Sequence, residues 1–399
     1  MRLGTANTYD NTLANLTSRQ AGLSELQNKL SAGKKVIRAS DDPTGAAQAE
    51  RAMTRLARVE VEQRALNLQK NSMAMAESTL GDAQNLLQRI RELVINAGDA
   101  ALSRNDRTSV AEEITSLRDQ LFAYANKQDS NGIPLFGGLG SASAPFTDFV
   151  TGVTFNGIAG QRASTPVGIP SAMDGQAVWM NVPTGNGSYN VDLGATNTGN
   201  IWADPGQVID PAATTGDNYT ITFTVTATTP PVTTYDVVNT TTATTVLTAQ
   251  PYKDGQAIAF DGLSFTVHEV PANGDTVALS PSTRSDLFAV LDATINSIKG
   301  KGSSHLVTHE VQRALVQIDT GMERIRSARG QAGELLKRAD VIDQNQIDKT
   351  VQLEADRSRA EDMDMVKGIS QFQLQQTGYQ AALQTYAQVQ RLSLFNYLG

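Results

Sequence analysis

No cysteine occurs in the 399 residues, which removes disulfides, thiolate metal sites and cysteine nucleophiles from consideration together. Long apolar runs are missing too: nowhere do about eighteen apolar residues follow one another, so no membrane insertion is expected. Basic residues are outnumbered, 33 against 41 acidic, for a net charge of −8. A basic binder tracking nucleic-acid phosphates is therefore not expected. Met1-Arg2-Leu3-Gly4-Thr5-Ala6-Asn7 holds one basic residue and no apolar h-region, so no cleaved secretory signal is expected either. What is present is a chain with 40% apolar residues, enough to bury a core. Its length suggests two or three domains.

Proline is nearly absent from both flanks, and this locates the domain boundaries. Twelve of the 13 prolines and both tryptophans fall within residues 131–283. That stretch holds only Arg162 and Lys253 against eleven acidic residues, whereas the flanks are charge-rich and nearly balanced. Such a composition shift marks a separate middle domain.

The flanks have a helical period. Leu66, Met73, Ala76, Leu80, Ala83, Leu87, Ile90, Val94 and Ala97 alternate at three and four residues, interrupted only by Lys70. Val110, Ile114, Leu117, Leu121 and Tyr124 repeat the pattern, as do Val311, Leu315, Ile318, Met322, Ile325, Ala332, Leu335, Ala339 and Ile342. A period near 3.5 predicts a narrow, coiled-coil-like seam. Gly33 suits a helix C′ position, and Asp42 before Pro43 reads as an N-cap followed by proline at the first helical position.

In the middle the period becomes two. Tyr219, Ile221, Phe223, Val225 and Ala227 alternate with threonines, predicting a half-buried strand. Val178/Met180/Val182, Tyr189/Val191/Leu193 and Leu263/Phe265/Val267 read the same way, while the threonine-rich run 239–248 is open to a flexible loop. The fold class is α+β: a helical bundle made by both chain ends with an inserted antiparallel β domain.

The extreme ends carry thin stripes. Leu13, Leu16, Leu23, Leu26 and Leu30 form one; Val366, Ile369, Phe372, Tyr379, Leu383, Tyr386, Val389 and Leu392 form the other. Stripes this thin bury too little within one chain to offset ordering at about 1–2 kcal/mol per residue. Ends that complete their folding on partner chains are expected; the alternative is a hairpin of the two ends within one chain.

Chemistry is hard to find. Gly137-Gly138-Leu139-Gly140 follows no clear strand, so it is a poor phosphate cradle. Ser31-Ala32-Gly33-Lys34 matches Ser-x-x-Lys without its companion motifs and reads as a helix end. His305 and His309, at i and i+4, lack an evident third metal ligand. Asp362 and Asp364, two apart on an expected helix, point away from each other. No enzyme, cofactor or metal site is expected.

Specific residues carry a resemblance. The segment from Ser31 through Ser40-Asp41-Asp42-Pro43 to Ala47 resembles the N-terminal signature of bacterial flagellins and their hook-associated relatives. Leu87–Leu93, Asp129-Ser130-Asn131-Gly132 with Leu135–Gly138, and the tail Val389–Leu398 resemble further family segments in order. Met1–Thr5, Thr215–Tyr219, Gly255–Gly262 and Asn273–Asp275 are most similar to the hook–filament junction members.

The resemblance implies a flagellin-like fold with residues 1–42 and 351–399 as inner-tube helices. Residues 43–130 and 284–350 would be coiled-coil helices, and 131–283 the β domain. It implies a structural adapter between hook-associated protein 1 and flagellin, in a helical layer with copies of itself. The alternative is the self-polymerising filament flagellin. It further implies an export chaperone on the C-terminal segment, an extracellular place in the flagellum, and subunit contacts through the two stripes. The turn at Ser40, Asp41, Asp42 and Pro43 would redirect the chain.

Overall fold

In the computed structural model the described residues are 5–99, 101–140, 144–150, 152–300 and 304–398, with side chains described from 10 to 388 within them. The helices are α1 (Thr5–Ala32), α2 (Pro43–Ala97), α3 (Arg104–Ala125), α4 (Leu287–Lys299), α5 (Ser304–Glu361) and α6 (Met365–Leu398). The chain divides into two units, residues 1–65 with 341–399 and residues 66–340, and the divisions fall inside α2 and α5.

In the second unit the seam of α2 is buried at all nine positions from Leu66 to Ala97 that the spacing selects. Lys70, the interruption, faces α5 and pairs with Asp340. Glu77 with Arg329 (2.6 Å) and Arg91 with Asp319 (2.7 Å) continue this row of cross-helix pairs. Largely exposed pairs contribute about 0–1 kcal/mol each, so they set register more than stability. Ser103 and Asp106 form a capping box at the start of α3.

Between α3 and α4 run β1 (Phe146–Phe149), β2 (Gly152–Phe155), β3 (Val182–Pro183), β4 (Tyr189–Leu193), β5 (Trp202–Ala203), β6 (Gln207–Val208) and β7 (Tyr219–Val225). They continue with β8 (Thr233–Asn239), β9 (Thr244–Pro251), β10 (Ala257–Phe260), β11 (Leu263–His268), β12 (Thr276–Pro281) and β13 (Arg284–Ser285). An antiparallel sheet in the order β4-β12-β7-β8-β9 shares a core with the smaller sheet β10-β11-β5, in which β6 also pairs with β11. Tyr219, Ile221 and Phe223 point into that core while threonines 220, 222 and 224 face away, the arrangement their alternation predicts.

The structure departs from several expectations of the sequence. Val178 and Met180 lie in a π-helical turn, Gln176–Met180, and only Val182 belongs to a strand. Trp179 is the reason: it is fully buried between Phe136 and Phe288, and the turn buries Val178 beside it. A strand would have sent the two neighbours to opposite faces. In the run 239–248, Asn239 ends β8 and its carboxamide oxygen accepts from the N–H groups of Thr241 and Thr242, so a short turn leads directly into β9. Asp362 and Asp364 occupy the break between α5 and α6, where Asp364 accepts from the Lys367 N–H.

His309 is a core histidine. It is 3% exposed, and its Nδ1 donates to the Ala203 carbonyl at 2.9 Å, while Nε2 is buried without a hydrogen-bond partner. Among the described residues, no group of three His, Cys, Asp or Glu side chains could hold a metal ion. Burial holds the imidazole below its ordinary range, outweighing the Ala203 carbonyl and the carboxylates of Glu310 and Asp192; Arg313 acts with burial. The unfolded chain therefore takes up a proton there before the folded one. Stability contributed by neutral His309 is complete above about pH 6.5 and falls away as the pH drops below it. The melting temperature of the 66–340 unit should fall from pH 7.5 to pH 5, and His309→Gln should flatten that slope; an unchanged slope would refute the assignment.

Candidate assembly interface

The first unit joins the start of the chain to its end by a clasp of backbone hydrogen bonds. α1 stops at Ala32 because Gly33 takes φ +67°, a left-handed conformation that glycine adopts without a Cβ penalty. The chain then runs against the end of α5. The N–H of Lys35 donates to the Glu361 carbonyl at 2.8 Å, and that of Met363 to the Gly33 carbonyl at 2.9 Å. Lys34 pairs with the Glu361 carboxylate at 3.1 Å, which Arg357 also approaches.

The turn Ser40–Pro43 is organised by its two aspartates. The carboxylate of Asp41 accepts from the N–H groups of Ile37 and Arg38, both at 3.1 Å. That of Asp42 accepts from the N–H groups of Gly45 (3.0 Å) and Thr44 (3.1 Å) and from the Thr44 hydroxyl (2.7 Å), capping α2 at Pro43. Those N–H donors hold both carboxyls below their usual range: Arg38 and then Ile37 for Asp41, and Gly45 with the Thr44 hydroxyl for Asp42. A Cβ on Gly45 would sit 2.5 Å from the Asp42 carboxylate, so the cap needs glycine there for space.

α1 and α6 pack along each other within one chain, the hairpin that stood as the alternative. Small residues let them approach: a Cβ on Gly368 would meet Leu30 at 3.0 Å, and one on Gly378 would meet Arg19 at 3.2 Å. The pairing covers only part of each stripe. Leu16 is buried, and Leu23, Leu26, Leu30, Phe372, Tyr379 and Tyr386 are half-buried. Leu13, Val366, Ile369 and Leu383 remain exposed, at 48, 82, 47 and 41%, and so does Leu374, a position outside the predicted stripe. Val389 and Leu392 lie outside the residues with described side chains, and Met1–Gly4 outside the described residues altogether. Exposed apolar rows at this spacing are what a helical partner buries.

Two features escaped the sequence reading. Arg118, 7% exposed in the second unit, holds Asp292 through two hydrogen bonds of 3.0 and 2.9 Å and also pairs with Asp148. In the first unit, Arg51 and Arg55 line a groove between α2 and α5. Only their one-turn spacing was visible beforehand, and that spacing is common on exposed helix faces.

The model of the bacterial flagellin N-terminal helical region matches residues 4–141, and that of the flagellin C-terminal helical region matches residues 315–398. The flagellar hook-associated protein 3 of Salmonella typhimurium is 34% identical over 154 residues, 38% of this chain and 48% of that protein. The flagellin of Bacillus subtilis is 31% identical over 130 residues, 32% and 43% of the two lengths. The chain thus spans about half the length of the curated relatives it matches. Among solved structures, the flagellar junction protein FlgL from Legionella pneumophila superposes with a TM-score of 0.68 at 30% identity, covering 74% of this chain and 99% of that one.

Proposed function

Because this chain belongs to the bacterial flagellin family, we propose that it is a structural adapter of the flagellum, forming the layer between hook-associated protein 1 and flagellin. One observation carries the choice within the family. The likeness to the junction protein covers more of the chain than both flagellin helical regions together, so it extends into the β region that those regions leave out.

In this reading residues 1–42 and 351–399 form the inner tube, 43–130 and 284–350 the surrounding coiled-coil layer, and 131–283 the β domain. The half-covered stripes of α1 and α6 supply the contacts between subunits. Head-to-tail contacts of this kind build open helical arrays, and burying the stripes at the growing end restricts assembly to that end. An export chaperone covers the C-terminal stripe beforehand, and the protein then leaves the cell for the flagellum. The role asks for no catalytic group or cofactor.

Electron microscopy of the purified chain, alone and with seeds capped by hook-associated protein 1, tests the reading. A single added layer on the seeds and no free filaments is the expected result. Long filaments of the chain alone would make it a filament flagellin.

A further inference from the structure

A groove of about 500 Å³ runs between α2 and α5 in the first unit. Its floor is apolar, made by the buried Ala52, Leu353 and Ala360. Its rim is cationic. Arg51 and Arg55 stand one turn apart on α2, and no carboxylate among the described residues pairs with either; Arg359 on α5 takes up the one carboxylate of the groove, Asp356. Two guanidinium groups are thus left for an outside partner, each permanently charged and shaped to grip a carboxylate with two parallel hydrogen bonds.

The same chain carries the complementary charge elsewhere. Residues 131–283 hold eleven acidic side chains against two basic ones. Asp148 and Asp192 are taken up by Arg118 and Arg313 and Asp275 is buried, and the other eight still leave the region an excess of negative charge. We propose that the Arg51–Arg55 groove of one copy receives carboxylates of the 131–283 region of a second copy. The pairing is heterologous, one patch meeting a different patch, so it runs from copy to copy around the single layer. Rim charges of this kind steer approach and fix register more than they add affinity, which makes the contact sensitive to salt. The inference rests on the assembly reading above and adds a partner and an orientation to it.

Carbodiimide cross-linking of the full chain tests it. The double variant R51K/R55K keeps both charges and adds amines that can couple to a carboxylate in contact. An equal mixture of unlabelled and 15N-labelled chains separates links between copies from links within one. At low ionic strength and high protein concentration, mixed-isotope links should join positions 51 and 55 to carboxylates of 131–283. They should vanish in about 1 M salt, where the Debye length is about 3 Å. Circular dichroism of the variant matching the parent shows that the fold is kept. Links only within one copy, links to carboxylates outside 131–283, or no links would each overturn the proposal. Addition to capped seeds separates this failure from that of the function: if R51E/R55E adds as the parent does, the groove assignment falls and the adapter stands; if the parent itself fails to add, the adapter reading falls first.

Discussion

Leu26→Asp and Leu383→Asp should each abolish incorporation into the flagellum while leaving the β region folded. Leu26 is half-buried and Leu383 is 41% exposed, so in a single chain both new carboxylates keep much of their hydration. Burial in a subunit contact would strip that water, and an unpaired charge then costs several kcal/mol. A change of about 4 kcal/mol lowers an association constant roughly a thousandfold, enough to stop a layer from forming. Leu87→Asp is the contrast, because Leu87 is fully buried and its loss should unfold the helical flank. Swimming in soft agar gives the readout, with protein in the medium measured in parallel. Export without motility supports the interface; no export would mean that the substitution acts before assembly. Normal swimming by both variants would sink the assignment.

Phe288→Ala should be among the most damaging truncations to alanine in the second unit, destabilising it by about 3–5 kcal/mol. Phe288 is fully buried where α4 meets α3 and the π-helical turn. Its ring lies 5.6 Å from that of Phe122, 6.1 Å from Trp179 and 6.5 Å from Phe146. The Arg118 guanidinium stands 5.6 Å over it. Truncation leaves a cavity whose rigid walls cannot collapse, since three other aromatic rings make them. Arg118→Ala should cost less, about 1.5–3 kcal/mol, because Asp148 and Asp292 reach water once released. Trp179 reports on this cluster in a W202F background, the chain having only two tryptophans. A urea midpoint followed by its fluorescence should fall far more for Phe288→Ala than for Arg118→Ala. Equal midpoints would show that the rings are not what holds this junction.

These cases also mark how far the sequence could be read. The α2 seam was legible because one face is apolar at a constant period and a helix has a single way to bury it. The strand Tyr219–Val225 was legible for the same reason at period two. Trp179 defeated that logic, since a residue so large settles its own backbone by the cavity it fills. Arg118 escaped because it sits among the apolar positions of α3 and is held there mainly by carboxylates 30 and 174 residues away, its neighbour Asp119 standing farther off at 3.5 Å. The groove at Arg51 and Arg55 was invisible for a related reason, needing α5 to come back beside α2 some 300 residues later. Leu374 lies outside the stripe because the expected period selected Phe372 and passed over its exposed neighbour.

The clasp between Gly33 and Met363 has a kinetic consequence. It joins residues some 330 apart, the kind of contact that raises contact order and delays folding. Closing a loop of that length from an open chain costs about 3 kcal/mol more than closing one of ten residues. The loop shortens only after α2 and α5 have paired through contacts such as Arg91 with Asp319. A chain synthesised or delivered from its first residue therefore completes its β sheets first, zips its long helices next, and latches its two ends last. Until residue 363 arrives α1 has nothing to latch to, so an incomplete chain holds its first helix open, in the form a chaperone or protease can recognise.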